Sequence, residues 1–296
     1  MRELATGRDV RGRIVAVAAW GGAALVVASF GLLVADLARR GAGELTWRYL
    51  IEAPRDAGRA GGILPIAVAT VWMVALALAF AAPLALATAL FLDEAGTPSA
   101  PRALRRAAAV TRRSLDVLGG VPSIVFGLFG NALFCRSFGW GYSLLSGAAT
   151  LACMVLPLMV ATFDEGLQRV PAAERAAAAA TGLSRSATLR HVLLPRAAPL
   201  LLAGTGLAVA RSLAETAALL FTAGYADGWP RSPLDSARSL SVHVWDLALN
   251  VAGGDARACA AALLLLLVVL ALHGAVRGGL GWVLRRRSRG HGESVR

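Results

Sequence analysis

Six stretches of this chain stay apolar for long enough to cross a lipid hydrocarbon layer, and nothing else in it restricts the fold so severely. They are Ile14 to Ala35, Leu64 to Leu92, Leu115 to Phe134, Leu144 to Phe163, Leu200 to Tyr225 and Ala258 to Val276. A spanning helix needs about 20 residues, because each residue rises about 1.5 Å through a core about 30 Å thick. With 57% hydrophobic and 16% charged residues and a mean hydropathy of +0.62, the chain carries more apolar surface than one soluble core can hide. In lipid the backbone must satisfy its own hydrogen bonds, so the expected fold class is all-α, a polytopic integral membrane protein of about six helices. Pro122, Pro157 and several glycines interrupt the third and fourth stretches, and Cys135 to Tyr142 between them reads as a short turn. Both still count as spans, since neighbouring helices can satisfy the backbone groups that proline frees. The first stretch follows a basic start, but it is too long for a signal peptide and lacks a small-x-small cleavage site, so it reads as an uncleaved span.

The formal net charge is +12, and every basic residue is an arginine. Arginines gather at Arg2, Arg8, Arg11 and Arg13, at Arg102, Arg105, Arg106, Arg112 and Arg113, at Arg169, Arg175, Arg185, Arg190 and Arg196, and at Arg285, Arg286, Arg287 and Arg289. These groups flank spans, which points to the lipid bilayer as the partner of this charge and away from nucleic acid. The positive-inside tendency puts them in the cytoplasm, which makes both termini cytoplasmic and the span count even. The loop after the fifth span is net acidic, with Asp227, Asp235, Asp246 and Asp255 against Arg231 and Arg238, as suits an external loop. The first outer loop fits less well, since Arg39, Arg40, Arg48, Arg55 and Arg59 roughly balance Asp36, Glu44, Glu52 and Asp56.

The same residue inventory excludes chemistry. A phosphate-cradling Walker loop and a Schiff base both require lysine, which is absent. His191, His243, His273 and His291 stand singly, without metal-ligand spacing, and read as isolated surface or interfacial side chains. Cys135, Cys153 and Cys259 lie in or near apolar spans and read as small core residues. Ser123 is not in a Gly-x-Ser-x-Gly elbow, so no catalytic or metal residues are assigned.

Between the fourth and fifth spans, Val170 to Pro195 is polar enough to leave the membrane and patterned enough to fold. Pro171 suits a first helical turn, and the alanine run after it has the highest helix propensity available. Gly182 can stop that helix in a left-handed turn, and Ser184 can cap the next one. The pattern therefore predicts two short helices with a bend between them. An alanine-surfaced helix lets a partner approach closely and seats well in a groove.

This stretch resembles the EAA motif of ABC importer permeases, in which Glu-Ala-Ala is followed at fixed distances by Gly, an aliphatic residue and Leu-Pro. Ala177, Ala178, Gly182, Val192, Leu194 and Pro195 match, whereas Ala176 stands in the place of the glutamate and the nearest acid is Glu174. The resemblance implies a type I ABC importer permease (MetI-like) fold, with residues 170–195 as a cytoplasmic coupling loop that docks on a separate ATPase subunit. Glu174, Ala177, Ala178, Gly182, Leu194 and Pro195 are the implied ATPase-coupling residues. The chain would then divide into an N-terminal tail, first span and first periplasmic loop (1–63), a permease core (64–276) and a basic cytoplasmic tail (277–296).

Two further runs narrow the likeness. Gly119 to Gly130, GGVPSIVFGLFG, and Ala210 to Gly224, ARSLAETAALLFTAG, resemble those of PstA-type phosphate importer permeases, and Ser241 to Asn250, SVHVWDLALN, is a weaker echo. Ala214 and Ala218 depart from the Gly and Pro usual in that second run. The resemblance implies a permease for inorganic phosphate in a bacterial plasma membrane. It also implies a PstC-type permease partner, two PstB-type ATP-binding subunits, a PstS-type periplasmic phosphate-binding protein, and no cofactor on this chain, ATP and Mg being bound by the ATPase partner.

Arg211 and Glu215 are four residues apart, so on one continuous helix they share a face and can pair. An arginine inside the membrane costs about 2.5 to 3.5 kcal/mol and should face protein or water; its planar fork matches phosphate oxygens. The pair is the candidate translocation path, with a closed ion pair that only locks the helix as the plain alternative. Asp116 reads as a helix cap or a partner of the basic loop before it. Trp20, Trp47, Trp72, Trp140, Trp229, Trp245 and Trp282 read as interfacial anchors. Two competing functions stay open: a same-fold permease for another oxyanion such as molybdate or sulfate, and a secondary transporter or channel that needs no ATPase.

Overall fold

The computed structural model describes residues 3–97 and 100–292, with side chains described for 12, 13, 15–97 and 100–278. The side chains of Arg2, Arg8, Arg11, Arg285, Arg286, Arg287, Arg289, Trp282 and His291 thus lie outside the described set. Five described helices are long and apolar enough to cross a membrane, or six if one sharply bent pair is a single span.

Helix α1 (Glu3–Gly41) is the most peripheral, packing on α12 (Asp255–Gly292) and leaving Trp20 and Leu32 exposed. A short helix α2 (Trp47–Ile51), capped by the Thr46 hydroxyl, and a two-residue antiparallel hairpin of β1 (Pro54–Arg55) and β2 (Ala60–Gly61) lead into α3 (Leu64–Ala95). On α3 the residues Ala69, Met73, Ala77, Ala81, Ala85 and Ala89 recur every four positions and are all buried. Such a stripe of small side chains brings two backbones close where lipid gives no hydrophobic drive to associate. Its main partner is α6 (Leu144–Gln168), which contributes Ala148, Leu151, Val155, Met159, Phe163 and Leu167 to the same core. Pro157 sits inside α6 without interrupting it, so the fourth span is less broken than its sequence suggests.

Two expected spans are corrected. The third is not one helix: α4 (Arg102–Gly119) and α5 (Ser123–Gly130), which continues as a π-helical stretch Asn131–Ser137, meet at 103°. Gly119 and Gly120 weaken the helix there, and Pro122 both lacks an N–H and disfavours helical backbone at Val121. Asp116 lies exposed in the late part of α4 and caps nothing. The fifth span starts earlier and ends sooner than Leu200 to Tyr225. It grows out of α8 (Arg185–Thr188) through a π-helical stretch, Leu189–Leu193, into α9 (Leu194–Ala214), and after a break at Glu215 and Thr216 a four-residue α10 (Ala217–Leu220) follows.

The segments that follow the two breaks lean on one another. A Cβ on Gly127 of α5 would lie 2.9 Å from the Cα of Ala218 in α10, and one on Gly130 would clash with the Thr150 hydroxyl of α6. Asn131 Nδ2 donates to the Phe221 carbonyl at 2.7 Å. Irregular backbone at membrane depth persists only where protein satisfies it; Asn131 does so for the Phe221 carbonyl and Ser241 for the Glu215 carbonyl. Helix α11 (Leu240–Leu249) then packs on α12.

Candidate functional site

The segment after α6 folds as its residues dictate. Pro171 precedes α7 (Ala172–Ala180), Gly182 takes φ +72°, and the Ser184 hydroxyl accepts from the Ala187 N–H at 3.2 Å. The second short helix is not separate, however, because α8 runs without a stop into α9. Pro195 stands in the first turn of α9, just after the widened turn, and its missing N–H removes one donor from the ladder there. A push on the hairpin is therefore a push on a span.

Ion pairs tie the hairpin to the bundle. Arg175 grips Asp93 at the end of α3 with two bonds, of 2.7 and 3.0 Å, and donates a third, of 2.6 Å, to the Leu167 carbonyl of α6. Arg185 reaches Glu94 at 2.7 Å, with both side chains largely exposed. Glu174 pairs with Arg196 on α9 at 2.8 Å, so the acid two residues from the motif position ties α7 to the following span. Ala178 faces inward, while Ala176, Ala177, Ala179 and Ala180 are exposed along with Gly182. Leu194 and Pro195 are half-buried at the root of α9. The acids Asp93 and Glu94, directly after an apolar span, were the available sign of these contacts.

Arg211 and Glu215 do not share a helix. Helix α9 stops at Ala214, and Glu215 is extended, at φ −77° and ψ 127°. Its carboxylate turns to accept from the Ala218 N–H at 3.3 Å, while its carbonyl accepts from Ser241 at 2.5 Å. Arg211 has no ion pair among the described residues and is exposed, whereas Glu215 is buried. The two nevertheless border one open concavity of about 520 Å³ with Leu158, Leu207 and Ala214. Ala218 matters here, because a proline, usual in the resembled sequences, would have no N–H to offer Glu215.

At the opposite end from the hairpin, polar residues that read as a solvated loop form a buried knot. Arg238, 6% exposed, pairs with Asp246 at 2.6 Å and Asp227 at 3.2 Å, and donates to the Tyr225 carbonyl and to His243 Nδ1. An arginine only donates, so that ring nitrogen accepts and the imidazole is neutral. Burial first, then the nearby guanidinium, pushes the His243 pKa down to about 4. His243 is thus a buried strut, against which Gly58 of the β-hairpin packs, and not a surface residue. Cys135, Cys153 and Cys259 are free thiols.

Two broken spans meeting beside an arginine-bordered concavity, with an inter-span hairpin locked to one of them, define a multi-pass membrane permease. The chain belongs to the binding-protein-dependent transport system inner membrane components, whose family model matches residues 95–280. Permeases of such importers work with ATPase partner subunits and a binding protein. The chain is similar to a probable ABC transporter permease, YqgI, of Bacillus subtilis, with 29% identity over 80% of this chain and 82% of that protein. It is similar to the phosphate transport system permease protein PstA 2 of Mycobacterium tuberculosis, with 28% identity over 81% of this chain and 78% of that one. A PstA of Xylella fastidiosa is 38% identical over 55% of each chain. Among solved structures, an inward-facing methionine ABC transporter MetNI shares the fold, with a TM-score of 0.59 at 16% identity, covering 75% of this chain and 95% of that one.

Proposed function

We propose that the chain is the PstA-type subunit of an ATP-driven importer of inorganic phosphate, in a bacterial plasma membrane with both termini cytoplasmic. It forms half of a translocation path, opposite a PstC-type permease. Two PstB-type subunits supply ATP hydrolysis and bind ATP and Mg, and a PstS-type periplasmic protein delivers phosphate. No cofactor belongs to this chain.

The observation that carries this reading is Arg211, exposed on a spanning helix with no counter-ion among the described residues. Left to lipid it would cost about 2.5 to 3.5 kcal/mol, so a water-filled path or a partner helix must cover it. A guanidinium fork presented to such a path suits a phosphate, whose charge needs a fixed cation on the way. Glu215, at the same rim but held by Ala218, keeps the attraction moderate, so that the anion leaves as well as enters. Relatives named as phosphate transport permeases over most of this chain support the choice of anion.

Coupling runs through α7. Its exposed alanine face, with Gly182 and Thr181 at the tip, docks on the ATPase partner; Glu174, Ala178, Leu194 and Pro195 transmit the motion to α9. Phosphate-loaded binding protein should stimulate ATP hydrolysis by the reconstituted complex. Stimulation by molybdate- or sulfate-loaded protein, with none by phosphate-loaded protein, would assign the path to another oxyanion. Uptake by this chain without an ATPase partner would make it a secondary transporter.

A further inference from the structure

Helix α4 has three faces, and only one is packed into the apolar core of the bundle. Leu104, Ala108, Thr111 and Leu115, spaced by three and four residues, form the side that packs on α3 and α6. A second side presents Ala103, Ala107, Val110, Val117 and Leu118, with Val110 63% and Val117 70% exposed. The third carries Arg102, Arg105, Arg106, Arg112 and Arg113 with a single acid, Asp116, and Arg105 donates to the Ala100 carbonyl at 3.0 Å. Arg112 pairs with Asp164 near the end of α6 at 2.8 Å, whereas Arg102, Arg106 and Arg113 are exposed with no partner among the described residues.

The 103° bend sets α4 nearly perpendicular to the span that follows it. A helix so placed, with an apolar side and a separate basic side, suits the plane of a membrane interface: its apolar side reaches acyl chains and its arginines reach headgroups. Its end of the bundle is also that of the coupling hairpin, because Pro101 and Leu104 line the same concavity as Arg175, Ala179 and Leu183.

We infer that α4 lies in the leaflet on the hairpin side and binds anionic phospholipid headgroups through Arg102, Arg106 and Arg113. Charge complementarity selects the lipid: three uncompensated guanidiniums beside an exposed apolar face match a phosphate-bearing headgroup joined to its own hydrocarbon. The Arg112 to Asp164 pair links this surface to α6, whose end leads into α7. The inference needs the membrane placement of the bundle but not the identity of its cargo.

The test uses the assembled complex, reconstituted in vesicles of equal parts phosphatidylcholine and phosphatidylglycerol and then extracted, with the retained lipids counted by mass spectrometry. The wild type should be enriched in phosphatidylglycerol. Each arginine near an anionic surface strengthens attraction by about fivefold, so an R102Q/R106Q/R113Q variant should lose at least about tenfold of that enrichment. A charge-preserving R102K/R106K/R113K variant should keep most of it, and R48Q/R55Q/R59Q, an equal charge loss at the opposite end, should leave it unchanged. Excess free glycerol phosphate should not displace the lipid; displacement would assign the arginines to soluble phosphates and overturn the inference. Undiminished enrichment in the glutamine variant, loss in the lysine variant, or an equal loss in the opposite-end control would also overturn it.

Discussion

Replacing Arg175 by Ala should uncouple ATP hydrolysis from transport while leaving the bundle folded. The guanidinium makes three hydrogen bonds, two to Asp93 and one to the Leu167 carbonyl, with its side chain 29% exposed and that of Asp93 13% exposed. A fully buried pair that loses one partner costs about 3 to 5 kcal/mol, and an exposed pair is worth about 0 to 1 kcal/mol. This half-buried, bidentate pair belongs between them, at about 2 kcal/mol, which is a factor of about 30 in the population of docked α7. The helix itself should survive, because its alanines have the highest helix propensity and Glu174 still ties it to Arg196 of α9. In proteoliposomes with the ATPase partner and binding protein, ATP turnover should persist while solute moved per ATP falls by tenfold or more. A double-mutant cycle with Asp93→Ala isolates the pair, and the double variant should be little worse than either single one. Additive losses, or an Arg175→Ala complex with unchanged coupling, would refute the claim that this clamp transmits the stroke.

Other outcomes follow from the same geometry. Arg211→Ala should abolish most uptake with normal assembly, and Arg211→Lys should restore only part of it, because a point charge lacks the fork; normal uptake by Arg211→Ala would leave the arginine a packing residue. Gly182→Val should destabilise the hairpin by about 1 to 2 kcal/mol through its φ of +72° alone, since open space surrounds the position, and the loss should appear as weaker binding of the ATPase subunit. Ala218→Pro removes the N–H that Glu215 accepts from, so uptake kinetics should change without loss of the complex. His243, at about 4 when folded against 6.5 unfolded, contributes stability that is complete above pH 6.5 and fades as the pH falls toward 4. At about 1.4 kcal/mol per pH unit the loss approaches about 3 kcal/mol. Thermal melts of wild type should show that slope between those pH values, and His243→Gln should flatten it.

Much of this was legible because it depends on local chemistry. Pro171, Gly182 and Ser184 act on their own neighbours, so their order alone gives a helix, a left-handed stop and a capped restart. The apolar lengths imply the bundle, and the Gly-Gly-Val-Pro run carries the 103° break within it, although such a run is equally compatible with a tolerated interruption of one span. What stayed hidden joins distant parts of the chain. Arg175 and Asp93 are 82 residues apart, and Arg185 and Glu94 are 91 apart, so no periodicity links them. The break at Glu215 falls in a run of good helix formers and arises from tertiary bonds to Ser241 and within the turn. Arg238 and His243 sit in a polar loop whose composition reads as solvated, and only the fold turns them inward.

A cysteine placed at Ala180, on the exposed face of α7, addresses the coupling role most directly. A membrane-impermeant thiol reagent should label Ala180→Cys in inside-out vesicles and not in right-side-out ones, and bound ATPase subunit should protect it. Labelling from the outer side, or labelling indifferent to the ATPase subunit, would contradict a hairpin that joins this bundle to its motor.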